Sequence, residues 1–248
     1  MQHMLNNDAD IDYIFPLDAD EFIYCPSREK LNTFLTLIPQ NRVGMYTWRG
    51  YLPHSTEYDP DFISHFTDQR KEEILTPKVI IPRAIAETCT LTIGSHSVRD
   101  KEGKEVQSIV FIGSNNQQFY YWFINRFNAE FIETNDLWLG HYPIRSTIQQ
   151  IKKVLEKSIT MVMEKKGYRD SAWENQLRDL LAHNLDISLD ELRLIAYNYR
   201  ASDEKKIQIA CQQPLRSMKL ALKYQDLINN DPLPILAKLI LELAEKLR

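Results

Sequence analysis

The spacing of apolar residues changes once along this chain, near residue 147, and the change separates what can fold as sheet from what must fold as helix. From Thr147 onward Ile148, Ile151, Leu155, Ile159 and Val162 recur at helical intervals, and the series ends before Gly167. Ser171-Ala-Trp-Glu174 and Ser188-Leu-Asp-Glu191 are capping-box sequences that lead into further periodic segments. A last helix is expected after Pro232 and Pro234, its stripe of Ile235, Leu239, Ile240 and Leu243 packing on the rest of the helical region. Before residue 147 the apolar residues come in short runs. Ile11 to Leu17, Val43 to Tyr51, Lys78 to Arg83, Val106 to Ile112 and Gln118 to Phe123 read as strands. One helix is expected between Ser27 and Leu37. Ser27 is a good N-cap, and Lys30 three residues later denies it a full capping box. The expected class is α/β, with a mixed sheet over residues 1–146 and an α-helical region over 147–248.

Pro53 to Pro77 fits neither pattern. It is rich in His, Asp, Ser, Glu and Lys, lacks sustained periodicity, and is expected to be a substrate-side loop.

Composition removes several classes of function. A chain of 248 residues can bury a sizeable core as one large domain or a domain with an appendage. The formal net charge of -4 argues against broad binding to nucleic acid or to an anionic membrane surface. Cys25, Cys89 and Cys211 form no CxxC pair, which points to neither a zinc site nor a disulfide framework. No apolar run reaches the length of a membrane span and no signal sequence opens the chain, so a cytoplasmic location is expected. The seven glycines include neither GxGxxG nor GxxxxGK[ST], which excludes the dinucleotide fingerprint and the P-loop.

Four pairs of aspartates are spaced by one residue: Asp8/Asp10, Asp10/Asp12, Asp18/Asp20 and Asp59/Asp61. Asp8, Asp10 and Asp12 lie in polar sequence, and Asp59 and Asp61 flank Pro60 inside the polar segment, so these are read as solvated. Asp18 and Asp20 follow Tyr13-Ile-Phe-Pro-Leu17 and precede Phe22-Ile23. Residues i and i+2 of an extended chain point the same way, and both carboxylates are expected at the end of a buried strand. A divalent cation would compensate their burial, and Mg²⁺ or Mn²⁺ takes its other ligands from water and phosphate. Further along, Gly94-Ser-His96 places a His after a glycine turn, a setting more often occupied by a packed histidine than by a ligand. His141-Tyr-Pro-Ile-Arg145-Ser146 precedes a helix whose first turn exposes N–H donors, and Arg145 with that terminus would cradle a pyrophosphate. A structural Arg–carboxylate pair would look the same.

Taken in order, FPLDADEF, KVIIPRA, GSH and HYPIRS resemble the bacterial family-2-like glycosyltransferases with a DxDEF motif, over roughly residues 11 to 155. That resemblance implies a partial GT-A-like mixed sheet followed by a helical C-terminal region. It also implies transfer of a sugar from a nucleotide-sugar donor to an unknown carbohydrate or other hydroxyl acceptor, with Mn²⁺ or Mg²⁺ and inversion at the anomeric carbon. Carried over by residue, Asp18 and Asp20 match the metal-holding pair and His96 a third ligand, with His141 its rival. Lys78, Arg83, His141, Arg145 and Ser146 would bind the donor. Glu21 is a candidate base, with Asp59, Asp61 and Asp68 as alternatives. Strand–helix units that bind the nucleobase precede the DxD strand in that family, and only ten residues do so here, so part of the nucleotide-binding subdomain is expected to be missing. The alternative is a non-catalytic interaction module derived from such an enzyme, its C-terminal helices docking a partner or a second copy. A haloacid-dehalogenase-like phosphatase would need Thr or Val two residues after Asp20, where Phe22 stands.

Overall fold

The computed structural model describes residues 10–70, 74–92, 94–113, 120–163, 176–177, 180, 182, 185–198 and 209–211. The expected helix after Pro232 and the pair Asp8/Asp10 as a pair lie outside the described residues; of the expected helix after Ser171, Gln176, Leu177, Leu180 and Ala182 are described and helical. The strands are β1 (Tyr13–Ile14), β2 (Glu21–Tyr24), β3 (Val43–Gly50), β4 (Asp68–Arg70), β5 (Ile74–Pro82), β6 (Thr90–Leu91), β7 (Val98–Arg99), β8 (Ser108–Ile112), β9 (Glu130–Glu133), β10 (Trp138–His141) and β11 (Ile209–Cys211). The helices are α1 (Arg28–Thr36), α2 (Phe62–His65), α3 (Arg83–Thr88), α4 (Tyr120–Phe127), α5 (Thr147–Met163) and α6 (Leu189–Tyr197). The protein is mixed α/β and divides into two compact units, one within residues 1–50 and 70–142, the other within 51–69 and 143–248.

The first unit is built on a mixed sheet around β3. Its first half pairs antiparallel with β5 and parallel with β8, and its second half pairs parallel with β10. β1 adds antiparallel to β5, β2 antiparallel to β10 and β9 parallel to β8. Every residue of β3 is buried, as a strand covered on both faces requires. Val43, Met45, Val79, Ile81 and Val110 form a core with Phe123 and Phe127 of α4, while Phe34 of α1 meets Phe111 edge-on. Ser27 caps α1 by accepting from the Lys30 N–H, as its sequence suggests. Gly44 is required by close packing: a Cβ there would lie 2.5 Å from Ile38 Cδ1 and 3.1 Å from Ile80 Cβ. Gly44→Ala is expected to destabilise the protein by about 1–3 kcal/mol, the cost of overpacking a filled core, as read by urea unfolding.

Three sequence expectations need correction in this unit and the next. Residues 120–127 form a helix where a strand was expected, because Phe123 and Phe127, four apart, are the buried pair while Tyr121 and Ile124 face outward. The aromatic run favours a strand by propensity, and burial at helical spacing overrides it. The Ile11 to Leu17 strand is only β1: Pro16 has no N–H to donate, and Leu17 is 39% exposed. The polar segment from Pro53 is no open loop. It contains α2 and β4, and Phe62, Ile63 and Phe66 are buried.

In the second unit β4 pairs with β11, and Leu52, Ile144, Val154, Leu192 and Tyr197 share a core. Arg193 of α6 reaches back to Asp68 and to the Pro53 carbonyl. Ser188 and Glu191 form the full capping box of α6. The helix α5 spans the expected residues, but its buried side centres on Val154, Leu155 and Ser158, with Ile148 and Ile159 exposed. No helix among the described residues is long and apolar enough to cross a membrane.

Candidate functional site

Asp18 and Asp20 lie in the turn that leads into β2. They reach the sheet from the start of an antiparallel strand, not from the end of the apolar run expected to carry them. Register nonetheless sets them at a productive end. Glu21 of β2 lies opposite His141, the last residue of β10, and His141 lies beside Gly50, the last residue of β3. The turn therefore sits where the parallel strands β3 and β10 finish, the end at which open α/β sheets gather ligands.

The turn is anchored from below. The Asp18 N–H donates to Glu21 Oε2 at 2.9 Å, the Glu21 N–H donates to the Asp18 carbonyl at 3.1 Å, and the Tyr142 N–H donates to the Asp20 carbonyl at 2.9 Å. Lys78, wholly enclosed in β5, donates from Nζ to Asp18 Oδ2 at 2.8 Å and to the Gly94 carbonyl at 3.0 Å, and Glu21 Oε2 lies 3.2 Å away. Burial raises the Glu21 carboxyl above its ordinary range, outweighing the opposing pull of the Asp18 N–H and the Lys78 ammonium. The other Glu21 oxygen, Oε1, is enclosed without a hydrogen-bond partner. Asp18, by contrast, keeps 59% of its side chain exposed.

An aromatic group flanks the carboxylates. The His141 ring stacks on Trp48 with centroids 4.1 Å apart, and its Nε2 is 3.8 Å from Asp20 Oδ2. His96 meets Trp48 edge-on at 5.8 Å, and its Nδ1 donates to the Pro77 carbonyl at 2.9 Å. Gly94 sits at φ +81°, and a Cβ there would come within 2.9 Å of the His96 ring. Glycine in GSH thus lets the chain turn over His96 while aiming its carbonyl at Lys78.

The geometry brings some of the expected residues together and places others apart. Lys78, expected at the donor, has three oxygen partners for its three N–H groups. Glu21, the candidate base, is enclosed and anchors the turn. His96 is fixed on Pro77, and Asp18, Asp20 and His96 do not gather as three ligating atoms; among the described residues only His54, Asp59 and His65 do so. Arg83 opens α3, pairing with Glu87 and donating to the Ile11 carbonyl. In the second unit Ser146 Oγ accepts from the Gln149 N–H, and the Gln149 side chain accepts from the Arg145 N–H. The start of α5 is therefore capped by its own neighbouring side chains at the Gln149 N–H. The Arg145 guanidinium lies over the Phe62 ring at 5.0 Å. Asp61 precedes α2 with Oδ1 enclosed and unpartnered. A cavity of about 230 Å³ in this unit, lined by Gln150, Leu180, Ile187 and Ile195 among others, touches none of the expected site residues.

Sequence reading missed Trp48, whose importance lies in tertiary placement. It also missed His54 and His65, which a spacing search for His around Asp59 would have raised. The chain matches no protein-family model, no curated protein and no solved structure.

Proposed function

We propose that the chain is a glycosyltransferase resembling the bacterial family-2-like enzymes and built on a GT-A-like sheet. It would move a sugar from a nucleotide-sugar donor to a hydroxyl acceptor. The observation that carries this reading is the Asp18–Asp20 turn, pinned by Glu21, Lys78 and Tyr142 at the finish of parallel strands β3 and β10. A solvated pair would have no such support, whereas a binding carboxylate gains from rigid backing. Asp20, with Asp18, would hold Mg²⁺ or Mn²⁺, which when bound supplies positive charge against a diphosphate. His141, stacked on Trp48, positions the Asp20 side. In the reaction the acceptor oxygen bonds to the anomeric carbon as the bond to the diphosphate breaks, and the acceptor proton passes to a carboxylate base.

Asp20→Ala is expected to weaken binding of a nucleotide sugar in the presence of Mn²⁺ by at least about tenfold, as read by calorimetry on the full chain over a panel of donors. Donor binding that needs no metal, or that survives Asp20→Ala unchanged, would overturn the metal-dependent reading.

The Lys78 cage favours a second reading. Its ammonium already contacts both Asp18 and Glu21, so the turn holds its shape with an internal cation alone, as a non-catalytic module would need. Complete failure to bind any donor, with the fold intact, is the outcome that selects it.

A further inference from the structure

The second unit holds a different constellation. His54, Asp59 and His65 bring one ligating atom each within 4.8 Å of one another. Asp59 Oδ1 accepts the Asp61 N–H at 2.8 Å, which orients Oδ2 toward both imidazoles. His65 Nδ1 lies 2.6 Å from that oxygen and His54 Nε2 lies 3.3 Å from it. The backing is built from the sequence around them: α2 buries Phe62 and carries His65 outward, while the His54 ring packs edge-on against buried Phe66 at 5.2 Å. The carboxylate is largely buried at 16% exposure, and the histidines, at 39% and 56%, leave the outer side open to water.

We propose that His54, Asp59 and His65 form a binding site for a first-row divalent transition-metal ion of the Zn²⁺ class. Two imidazoles and one carboxylate, with an outer position for water, are a ligand set that suits Zn²⁺ and its neighbours and does not suit the oxygen-seeking Mg²⁺ or Ca²⁺. Ligands bonded at about 2.0–2.1 Å to a tetrahedral ion lie about 3.3 Å apart, so the His54–Asp59 edge already has the needed length. His65 needs only a small outward movement from an exposed position. Without the ion, protons on His54 Nε2 and His65 Nδ1 fill the same space as donors to Oδ2. The site is independent of the glycosyltransferase reading, which uses other residues in the other unit.

The test is titration of the full, chelator-treated chain with Co²⁺, read by its visible d–d absorption, followed by displacement with Zn²⁺. One Co²⁺ per chain with intense bands from low coordination is expected. His54→Gln and Asp59→Asn, both checked for folding by circular dichroism, should weaken binding by at least about tenfold. Asp20→Ala should leave it unchanged. No stoichiometric Co²⁺ binding, or binding indifferent to His54→Gln and Asp59→Asn, overturns the proposal. Loss on Asp20→Ala with Asp59→Asn intact also overturns it, by moving the ion to the Asp18–Asp20 turn.

Discussion

Lys78→Met is expected to cost about 3–5 kcal/mol of folding free energy, the range for removing one partner of a buried ion pair. The Lys78 side chain is wholly enclosed, with its ammonium between Asp18, Glu21 and the Gly94 carbonyl. Methionine fills much of the same volume, so the loss is electrostatic rather than a cavity. Asp18 can turn to water, being more than half exposed, but Glu21 cannot. The substitution therefore strands one buried carboxylate, and adding Glu21→Gln should recover part of the loss. Stability should also change with pH in a definite direction. Burial already holds the folded Glu21 pKa above its unfolded value, and losing the ammonium moves it further up. Such a group contributes stability that is full below the unfolded pKa and is lost as pH rises through the folded one. The Lys78→Met deficit should accordingly shrink toward acid pH and grow toward neutrality. Urea unfolding at several pH values reads both effects. A variant within about 0.5 kcal/mol of wild type at neutral pH would show that the pair contributes no more than an ordinary surface contact.

Trp48→Ala should be comparably damaging, at about 3–5 kcal/mol, the usual cost of truncating a buried large aromatic. Trp48 is 2% exposed and carries the His141 ring on its face and the His96 ring at its edge. Its removal opens a cavity and also frees the imidazole that lies beside Asp20. Trp48→Phe keeps an aromatic face, so it should cost less and hold His141 closer to its native orientation. Thermal unfolding gives the stability, and the His141 ring resonances in proton NMR report the site. If those resonances stay fixed in Trp48→Ala, the stack is incidental to how His141 is held.

Much of the scaffold was legible from residue order. The runs that became β3, β5 and β8 are nearly all apolar, as strands covered on both faces must be, and Ser27 and Ser188 announced their helices by local chemistry. What failed did so where long-range burial decides. The segment with Tyr120, Trp122 and Phe123 has strand-like composition, and only packing of Phe123 and Phe127 on the sheet makes it helical. The candidate site divides the same way. Asp18 and Asp20 stood out through the apolar residues before them. The pairing of Lys78 with Asp18 did not, because the two are 60 residues apart, and the resemblance assigns Lys78 to the donor instead. His54, Asp59 and His65 lie within twelve positions, yet a polar stretch with aspartates looks solvated until Phe62 and Phe66 are seen to be buried beneath it.

The split pairing of β3 bears on how the chain reaches its fold. Each of its neighbours, β5, β8 and β10, follows it in sequence, and β10 closes its second half with residues 139–141 against 48–50. During synthesis a fully buried strand is thus made early, and its second half waits, unpaired along that edge, for about 90 further residues. Parallel pairings of this separation form slowly, and an open apolar edge recruits other chains. Shortened versions that stop before Trp138 should accumulate as aggregates, while versions that include His141 should fold in proportion to how quickly β10 finds its place.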